Sequence, residues 1–455
     1  MKPIVLILLL LFHCTAQPQS IQPVDNSKQT IVFTSVNVIP MDHEQVLKNQ
    51  TVVVRNGKIV HIGNSDIRHR DKPLYIDAKG KYILPGLGEI HAHVPPQDNL
   101  EPMKETLQLY ALNGITTIRG MLGHPRHLEL RSKVVSGEIL GPRFYTSGPS
   151  LNGQSVASPE AGAEMVRNQK QAGYDFLKLH PGLTKEKFAA IAAAAKEVNI
   201  PFAGHVSWEV GVWRAIDAGY ASIDHLDGFV ESLVPDIDQV TEQQAGTFGM
   251  FLAGQADESR IPKLMEALRK NNIWVVPTQA LAERWFSPVK DAEALSKEPE
   301  MKYMNPSTVN TWVNAKRNLM TNPRYDAADM NNFIQLRRKL IFECNKNGVG
   351  LLLGSDAPQV FNVPGFSLHH ELQYMVDAGL TPYEALKTGT VHVGLYFNRP
   401  DIGVIKKDAV SDFILLDGNP LQDISQTKKI AGVMLGNRWL SKEFIQQELK
   451  KLEKH

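Results

Sequence analysis

The sequence predicts an α/β protein: a (β/α)8 barrel with a small discontinuous β-sandwich formed by both chain ends. Three observations carry this. Eight short apolar segments alternate with helical stretches through the middle of the chain. Val-, Ile- and Tyr-rich stretches punctuated by turn residues occur at both ends. Histidines and one aspartate recur where the middle strands stop. The length of 455 residues fits one large domain plus a smaller one. A composition of 43% hydrophobic and 21% charged residues is that of a globular protein. The net charge of +1 gives no basic surface for a nucleic-acid partner and no reason to expect a strongly anionic membrane.

The chain opens with Lys2, an apolar run over residues 4–12 and the small-residue stretch Cys14-Thr15-Ala16. Residues 1–16 therefore read as an export signal, placing the protein in the periplasm or outside the cell. The run is too short to span a bilayer, and no later segment approaches about eighteen apolar residues. Lipid anchoring through Cys14 is disfavoured, because His13 is a poor residue before a lipidated cysteine. With the signal removed, Cys344 stands alone, so no intramolecular disulfide forms. Any metal site must then be built from histidines and carboxylates.

Residues 30–84 are expected to give the first part of the sandwich. "TIVFTSVNVIP", "QTVVVRNGKIVHIG" and "LYIDAKGKYILPG" alternate in the strand manner, and Asn56-Gly57 marks a hairpin. "SDFILLDGNP" and "KIAGVMLGNRWL", within 398–446, are expected to supply the second part. Between them, 85–397 is read as the barrel domain. Its strands are expected at 87–93, 115–120, 143–147, 176–180, 202–206, 222–226, 274–278 and 350–355. Helical stretches such as "TKEKFAAIAAAAKEVN" and "EVGVWRAIDAG" separate them. A doubly wound open sheet is the competitor, but neither G-x-G-x-x-G nor a Walker-type sequence follows an early strand. The polar stretch 282–331, with Trp285, Tyr303, Trp312 and Tyr325, is either an insertion over the barrel mouth or a peripheral decoration.

The chemistry begins at "LPGLGEIHAHVPP". His91 and His93 lie two apart in a strand, so both imidazoles leave one face. Lys178 in "DFLKLH", His205 in "FAGHVS", His225 in "SIDHLDG" and Asp356 in "LLLGSDAP" fall at later strand ends. Barrel enzymes carry their catalytic groups there. Each residue alone has a bland explanation, such as a backbone bond or a helix cap. Together, four imidazoles and a carboxylate suit zinc or a similar divalent ion, one or two per chain. Lys178 either pairs as an amine with a carboxylate such as Asp175 or adds carbon dioxide to become a bridging carboxylate.

This order of motifs resembles the amidohydrolase superfamily. "LPGLGEIHAH", "AIDAGYASIDHLDG", "GSDAP", "GFSLHHELQYMVDAGLTPYEALKTGT" and "IGVIKKDAVSDFILLDGNP" are similar to its imidazolonepropionase- and prolidase-like branch. The resemblance implies a TIM barrel with a flanking β-sandwich. It makes His91, His93 and Asp356 ligands of one metal and His205 and His225 ligands of a second, with carboxylated Lys178 between them. Some relatives keep a single metal, so the number stays open. It also implies a dipeptidase-like hydrolase of a small-molecule amide, acting through a metal-activated hydroxide with Asp356 as proton shuttle.

His180 shares the face of Lys178 if the strand continues, and either touches substrate or is an ordinary loop histidine. Arg119 and Tyr145 are substrate-binding candidates. Arg119 has an internal salt bridge as its alternative. Asp224 and Ser355, neighbours of ligands, could orient them by hydrogen bonds, but their adjacent strand positions are expected to point away. A cyclic amide or an ester is the alternative substrate, and a non-catalytic exported metal- or ligand-binding protein is the alternative class. Retention of Asp356 weighs against the latter. The sequence leaves open the substrate and whether the chain forms a homo-oligomer.

Overall fold

The structure, a computed structural model, describes residues 22–64 and 72–454. The expected export signal and Cys14 lie outside the described residues. Both chain ends enter one nine-stranded sheet. Its order runs Val24–Asp25, Arg438–Ser441, Ile430–Leu435, Phe413–Leu416, Tyr82–Pro85, Ile31–Val38, Leu47–Arg55 and Lys58–Gly63, with Leu74–Asp77 pairing to Ile31–Val38 off this path. The ends meet where Phe413–Leu416 runs antiparallel to Tyr82–Pro85, with Ile414 opposite Leu84. Asn56 (φ 51°) and Gly57 (φ 71°) form the expected turn, because a two-residue hairpin loop that matches strand twist needs positive φ at both positions. The buried ring of Phe33 packs edge-on against Phe413 at 5.2 Å and Trp439 at 4.9 Å, so aromatic contacts as well as hydrogen bonds join the two ends.

The middle of the chain holds two parallel sheets. Leu87–Ala92, Ile115–Gly120 and Arg143–Thr146 form one; Leu177–Leu179, Phe202–Gly204, Ser222–Asp224 and Trp274–Val276 form the other. Single parallel bridges link their edges: Ser147 with Phe176, Leu151 with Leu179, Val275 with Leu351, and Ala92 with Ala357. Seven of the eight expected middle strands are therefore present, and most are shorter than the sequence suggests. The eighth, 350–355, is not a strand. Only Leu351 and, beyond it, Ala357 make bridges there. The Ser355 amide donates to the Glu89 carboxylate (2.7 Å) instead of to a ladder, and Asp356 has φ 62°, which breaks the extended run.

The intervening helices end as their sequences dictate. Ser158 caps Pro159–Ala172, which stops at Gly173 (φ 88°), and Thr184 caps Lys185–Glu197. The stretch 282–331 is largely helical. Pro306–Met320 is held by Lys316, whose buried ammonium donates to the carbonyls of Arg284 (2.9 Å) and Ser287 (2.8 Å). Trp312 and Tyr303 enter an apolar cluster with Val360 and Phe361, which belong to the loop after Asp356. The insertion thus packs against a loop that leads out of the candidate site. Among the described residues no helix is long and apolar enough to cross a membrane.

If Phe33 ties the ends together, Phe33→Ala should cost about 3–5 kcal/mol in urea unfolding, the range for deleting a fully buried aromatic ring. A loss below about 1 kcal/mol would show that the end-to-end contact is incidental.

Candidate metal centre

Backbone turns at the strand ends create the site. His91 belongs to a regular strand, whereas His93, His205, His225 and Asp356 lie just past the last residue of theirs or outside any strand. His225 (φ 63°) and Asp356 (φ 62°) are left-handed, a conformation that non-glycine residues seldom adopt. One residue in this region reverses the usual alternation. At His225 it is the histidine that leaves the alternation, while Asp224 keeps the face of Ser222 and reaches the His91 ring, with its Oδ2 2.8 Å from Nδ1.

The rings form a chain. His93 lies 5.4 Å from His91, His91 4.4 Å from His225, His225 4.3 Å from His205, and His205 5.1 Å from His180. Candidate ligand atoms of His91, His225 and Asp356 all fall within 4.8 Å of one another. Asp356 Oδ1 is 2.6 Å from His93 Nε2 and 3.4 Å from His91 Nε2. The six residues His91, His93, Lys178, His205, His225 and Asp356 are thus drawn into one buried region from five places in the chain.

Each inner imidazole is oriented from behind. His91 Nδ1 faces Asp224, His205 Nδ1 lies 2.7 Å from Asp227 Oδ2, and His225 Nδ1 lies 2.8 Å from Thr278 Oγ1. A donor on Nδ1 leaves the lone pair on Nε2, the tautomer a ligand histidine needs. His225 Nε2 and Lys178 Nζ are buried without a hydrogen-bond partner. Such orphaned atoms cost free energy unless something binds them. Burial first, then the Lys178 charge, holds His91 well below its ordinary pKa; burial and then His205 do the same for His225. Neutral imidazoles, two orphaned nitrogens and a carboxylate fit a divalent cation by donor chemistry.

Two glycines make the room. At Gly204 (φ 121°) a Cβ would sit 2.8 Å from Lys178 Cδ, and at Gly354 a Cβ would sit 3.0 Å from His91 Cβ. Lys178 is fully buried, and burial lowers its pKa to about 8. Its amine does not pair with Asp175, one alternative raised by the sequence. Asp175 instead accepts from Arg131 (2.6 Å) and the Thr146 amide (2.8 Å).

Two substrate-binding candidates, Arg119 and Tyr145, are engaged by other protein groups. Arg119 has no exposed surface. It donates to Ile90 O, Ser222 Oγ, Tyr396 Oη and both oxygens of Asp224, so it holds Asp224 and has no donor turned to a substrate. Tyr145 stacks face to face on Phe397 at 3.8 Å, engaged there and not by the histidines. His180 does lie beside the cluster. Its ring borders a cavity of about 520 Å³ shared with Asn152 and Gln154, and burial pushes its pKa far down. Ser355 keeps to the Glu89 carboxylate, as its position suggests.

Sequence reasoning missed Asp227, Thr278 and Arg337. Arg337 donates to His225 O (2.7 Å), Pro277 O (2.7 Å) and Gln279 Oε1 (3.0 Å), clamping the two loops that carry His225 and Thr278. Asp227 had a signal in "HLDG", two residues after His225; Arg337, in a distant helix, had none. A second acidic group, Glu298, Glu300 and His370, is already paired with Arg284 and Lys290 and reads as an ion-pair network.

If Asp227 orients His205, Asp227→Asn should weaken divalent-metal affinity about 10–100-fold while the chain stays folded. Competition with a chromogenic chelator measures this, and unchanged affinity would remove Asp227 from the site.

Comparison with known proteins agrees with this geometry. The Amidohydrolase family model matches residues 82–440. The ochratoxinase of Aspergillus niger is 23% identical over 93% of this chain and 88% of the relative. Among solved structures, a bottromycin amidohydrolase superposes with TM-score 0.70 at 20% identity, covering 93% of this chain and 89% of its own. A Xaa-Pro dipeptidase with bound methionine superposes with TM-score 0.66 at 20% identity, covering 91% and 100%. At these identities the solved structures establish a shared fold. The family match spans most of the sequence, including every candidate ligand, and the chain belongs to the Amidohydrolase family.

Proposed function

We propose that the chain is a metal-dependent hydrolase that cleaves a C–N bond of a small amide, such as a dipeptide or an N-acyl amino acid. The observation that carries this is the convergence of His91, His93, His205, His225, Lys178 and Asp356, with orphaned nitrogens on His225 and Lys178. His91, His93 and Asp356 would hold one ion and His205 and His225 a second, zinc being the ion best suited to imidazole and carboxylate. Lys178 would bridge them as a carbamate. Bound there, the metal would supply Lewis acidity, acidifying a water and polarising the amide carbonyl.

The rest falls to the protein. Asp356, within hydrogen-bond reach of His93, takes the proton from the attacking water and delivers it to the leaving nitrogen. Asp224 and Asp227 keep His91 and His205 in the ligand tautomer, and burial of the cluster excludes bulk water. His180, at the end of the ring chain, is placed to contact substrate. An amidohydrolase and a Xaa-Pro dipeptidase share the fold, and family membership supports C–N hydrolysis here.

The same reading takes 85–397 as a closed (β/α)8 barrel and the two ends, 30–84 and 398–446, as a sandwich flanking it. The parallel bridges Val275–Leu351 and Ala92–Ala357, which link the last segment back to the first strand, support closure. Residues 1–16 would direct export.

Metal-loaded protein, tested with bicarbonate against Xaa-Pro and other dipeptides, N-acyl amino acids and lactams, should hydrolyse one class. Asp356→Asn should lower that turnover at least about 100-fold, the low end for losing a positioned acid–base group. Turnover unchanged in the variant would remove Asp356 from proton transfer. Carbamate formation requires the neutral amine. With a Lys178 pKa of about 8, lowered from 10.5, that fraction rises from roughly one tenth at pH 7 to about half at pH 8. Metal loading in bicarbonate should therefore be faster at pH 8 than at pH 7, with Lys178→Met insensitive to bicarbonate. Equal bicarbonate dependence in that variant would rule out the bridge.

A further inference from the structure

A cavity of about 820 Å³ opens beside the histidines and is lined by His205, Val206, Trp208, Val210, Asp227 and Phe248 among others. Clefts of about 300–1,000 Å³ suit molecules of drug size, so the space exceeds what two small aliphatic residues would fill. Phe248 is the unusual member. Its ring lies nearly parallel to His225, at 5.2 Å and 15°, and to His205, at 6.4 Å and 10°. It therefore covers the imidazoles that would hold the second ion.

The ring is fixed there against its local preference. Phe248 has φ 57° and ψ 24°, between Gly246 and Gly249, both at φ 72°. A bulky residue keeps a left-handed backbone only where its surroundings impose it. Those surroundings are visible. Phe286 meets the ring edge-on at 5.9 Å, and the Arg337 guanidinium lies 5.8 Å from its centroid. Gly249 presses so closely on the helix Phe229–Leu233 that a Cβ would sit 3.1 Å from Val230 Cβ and Glu231 Cδ. The mechanism above makes no use of Phe248, yet Phe248 lines the cavity.

We propose that Phe248 is the specificity-determining wall of this site, selecting amides that carry a planar aromatic group at the scissile bond over those with aliphatic groups of equal size. The proposal rests on the hydrolase reading above. A rigid flat wall rewards a ring that can stack on it in an offset or edge-on manner, and it gives a puckered aliphatic ring of the same carbon count less contact. Because the wall is held by Phe286, Arg337 and the two glycines, it is preorganised, and the selectivity needs no closure step.

The test uses metal-loaded full chain and two carboxylates of equal carbon number, benzoate and cyclohexanecarboxylate, in isothermal titration. Wild type should bind benzoate about tenfold more tightly. Phe248→Ala and Phe248→Leu, each checked for unchanged metal content, should bind the two equally, and Phe248→Trp should keep the preference. Phe248→Leu retains an apolar side chain and guards against loss of folding. Equal binding by wild type, no binding of either probe, or a preference that survives in both variants would overturn the proposal. In parallel, N-benzoyl and N-cyclohexanecarbonyl alanine are compared as substrates, and the preference should appear in KM and vanish in Phe248→Leu. Hydrolysis of both with no preference rejects the wall alone. Benzoate selectivity without hydrolysis of any amide rejects the hydrolase reading and leaves the wall standing.

Discussion

Asp224 is the carboxylate on which the centre depends. It is fully buried and accepts from Arg119, from Ser222 Oγ at 2.8 Å and from the His91 ring. A lone buried charge would be prohibitively costly, and an Arg–Asp pair in the interior offsets its desolvation only when the remaining donors are satisfied. Here they are. Arg119 spends its other donors on Ile90 O, Ser222 and Tyr396, so the pair joins three parallel strands beneath the site. What this arrangement secures is the orientation of His91, and through His91 the position of Asp356.

Around that anchor the protein keeps an unfavourable backbone. His225, Thr278, Asp356 and Phe248 all have positive φ, at roughly 1–3 kcal/mol each for residues of this kind. All four lie at or beside the centre. Arg337 offsets part of the cost by gathering the carbonyls that the distorted loops present. The helix that carries it, Ala327–Lys346, follows the insertion. The insertion itself packs Trp312 and Tyr303 against the loop after Asp356. The insertion and this helix, which carry no candidate ligand, therefore brace the loops of His225, Thr278 and Asp356.

The nine-stranded sheet plays a different part. It joins the first and last described strands, and the chain enters the first parallel strand at Leu87 directly after Tyr82–Pro85, whose partner is Phe413–Leu416. His91 is thus only a few residues from a strand locked by the C-terminal end. The register of that sheet fixes where the first ligand strand begins, because a slip of one residue would exchange the two faces.

The residues themselves determined much. Alternating apolar runs and Asn56-Gly57 act within a few neighbours, so the strands and the turn they specify were legible without partners. The H-x-H pair and the strand-end positions of Lys178, His205, His225 and Asp356 were legible too, since period-2 geometry is local. Where the reading failed, the deciding force was distant. The eighth strand is cut to isolated bridges, with the Leu353 amide donating to Thr388 O and the Ser355 amide to Glu89, 266 residues away in sequence. Asp224 faces inward with Ser222, and it is Arg119, 105 residues away, and the His91 ring that fix it there. Arg119 took the internal salt bridge, the other of its two expected roles, with Asp224 at 3.2 Å. Local sequence specifies elements through short-range sterics and hydrogen bonds. The tertiary structure alone decides which buried donor meets which acceptor, because that choice is made by packing between segments the chain does not place side by side.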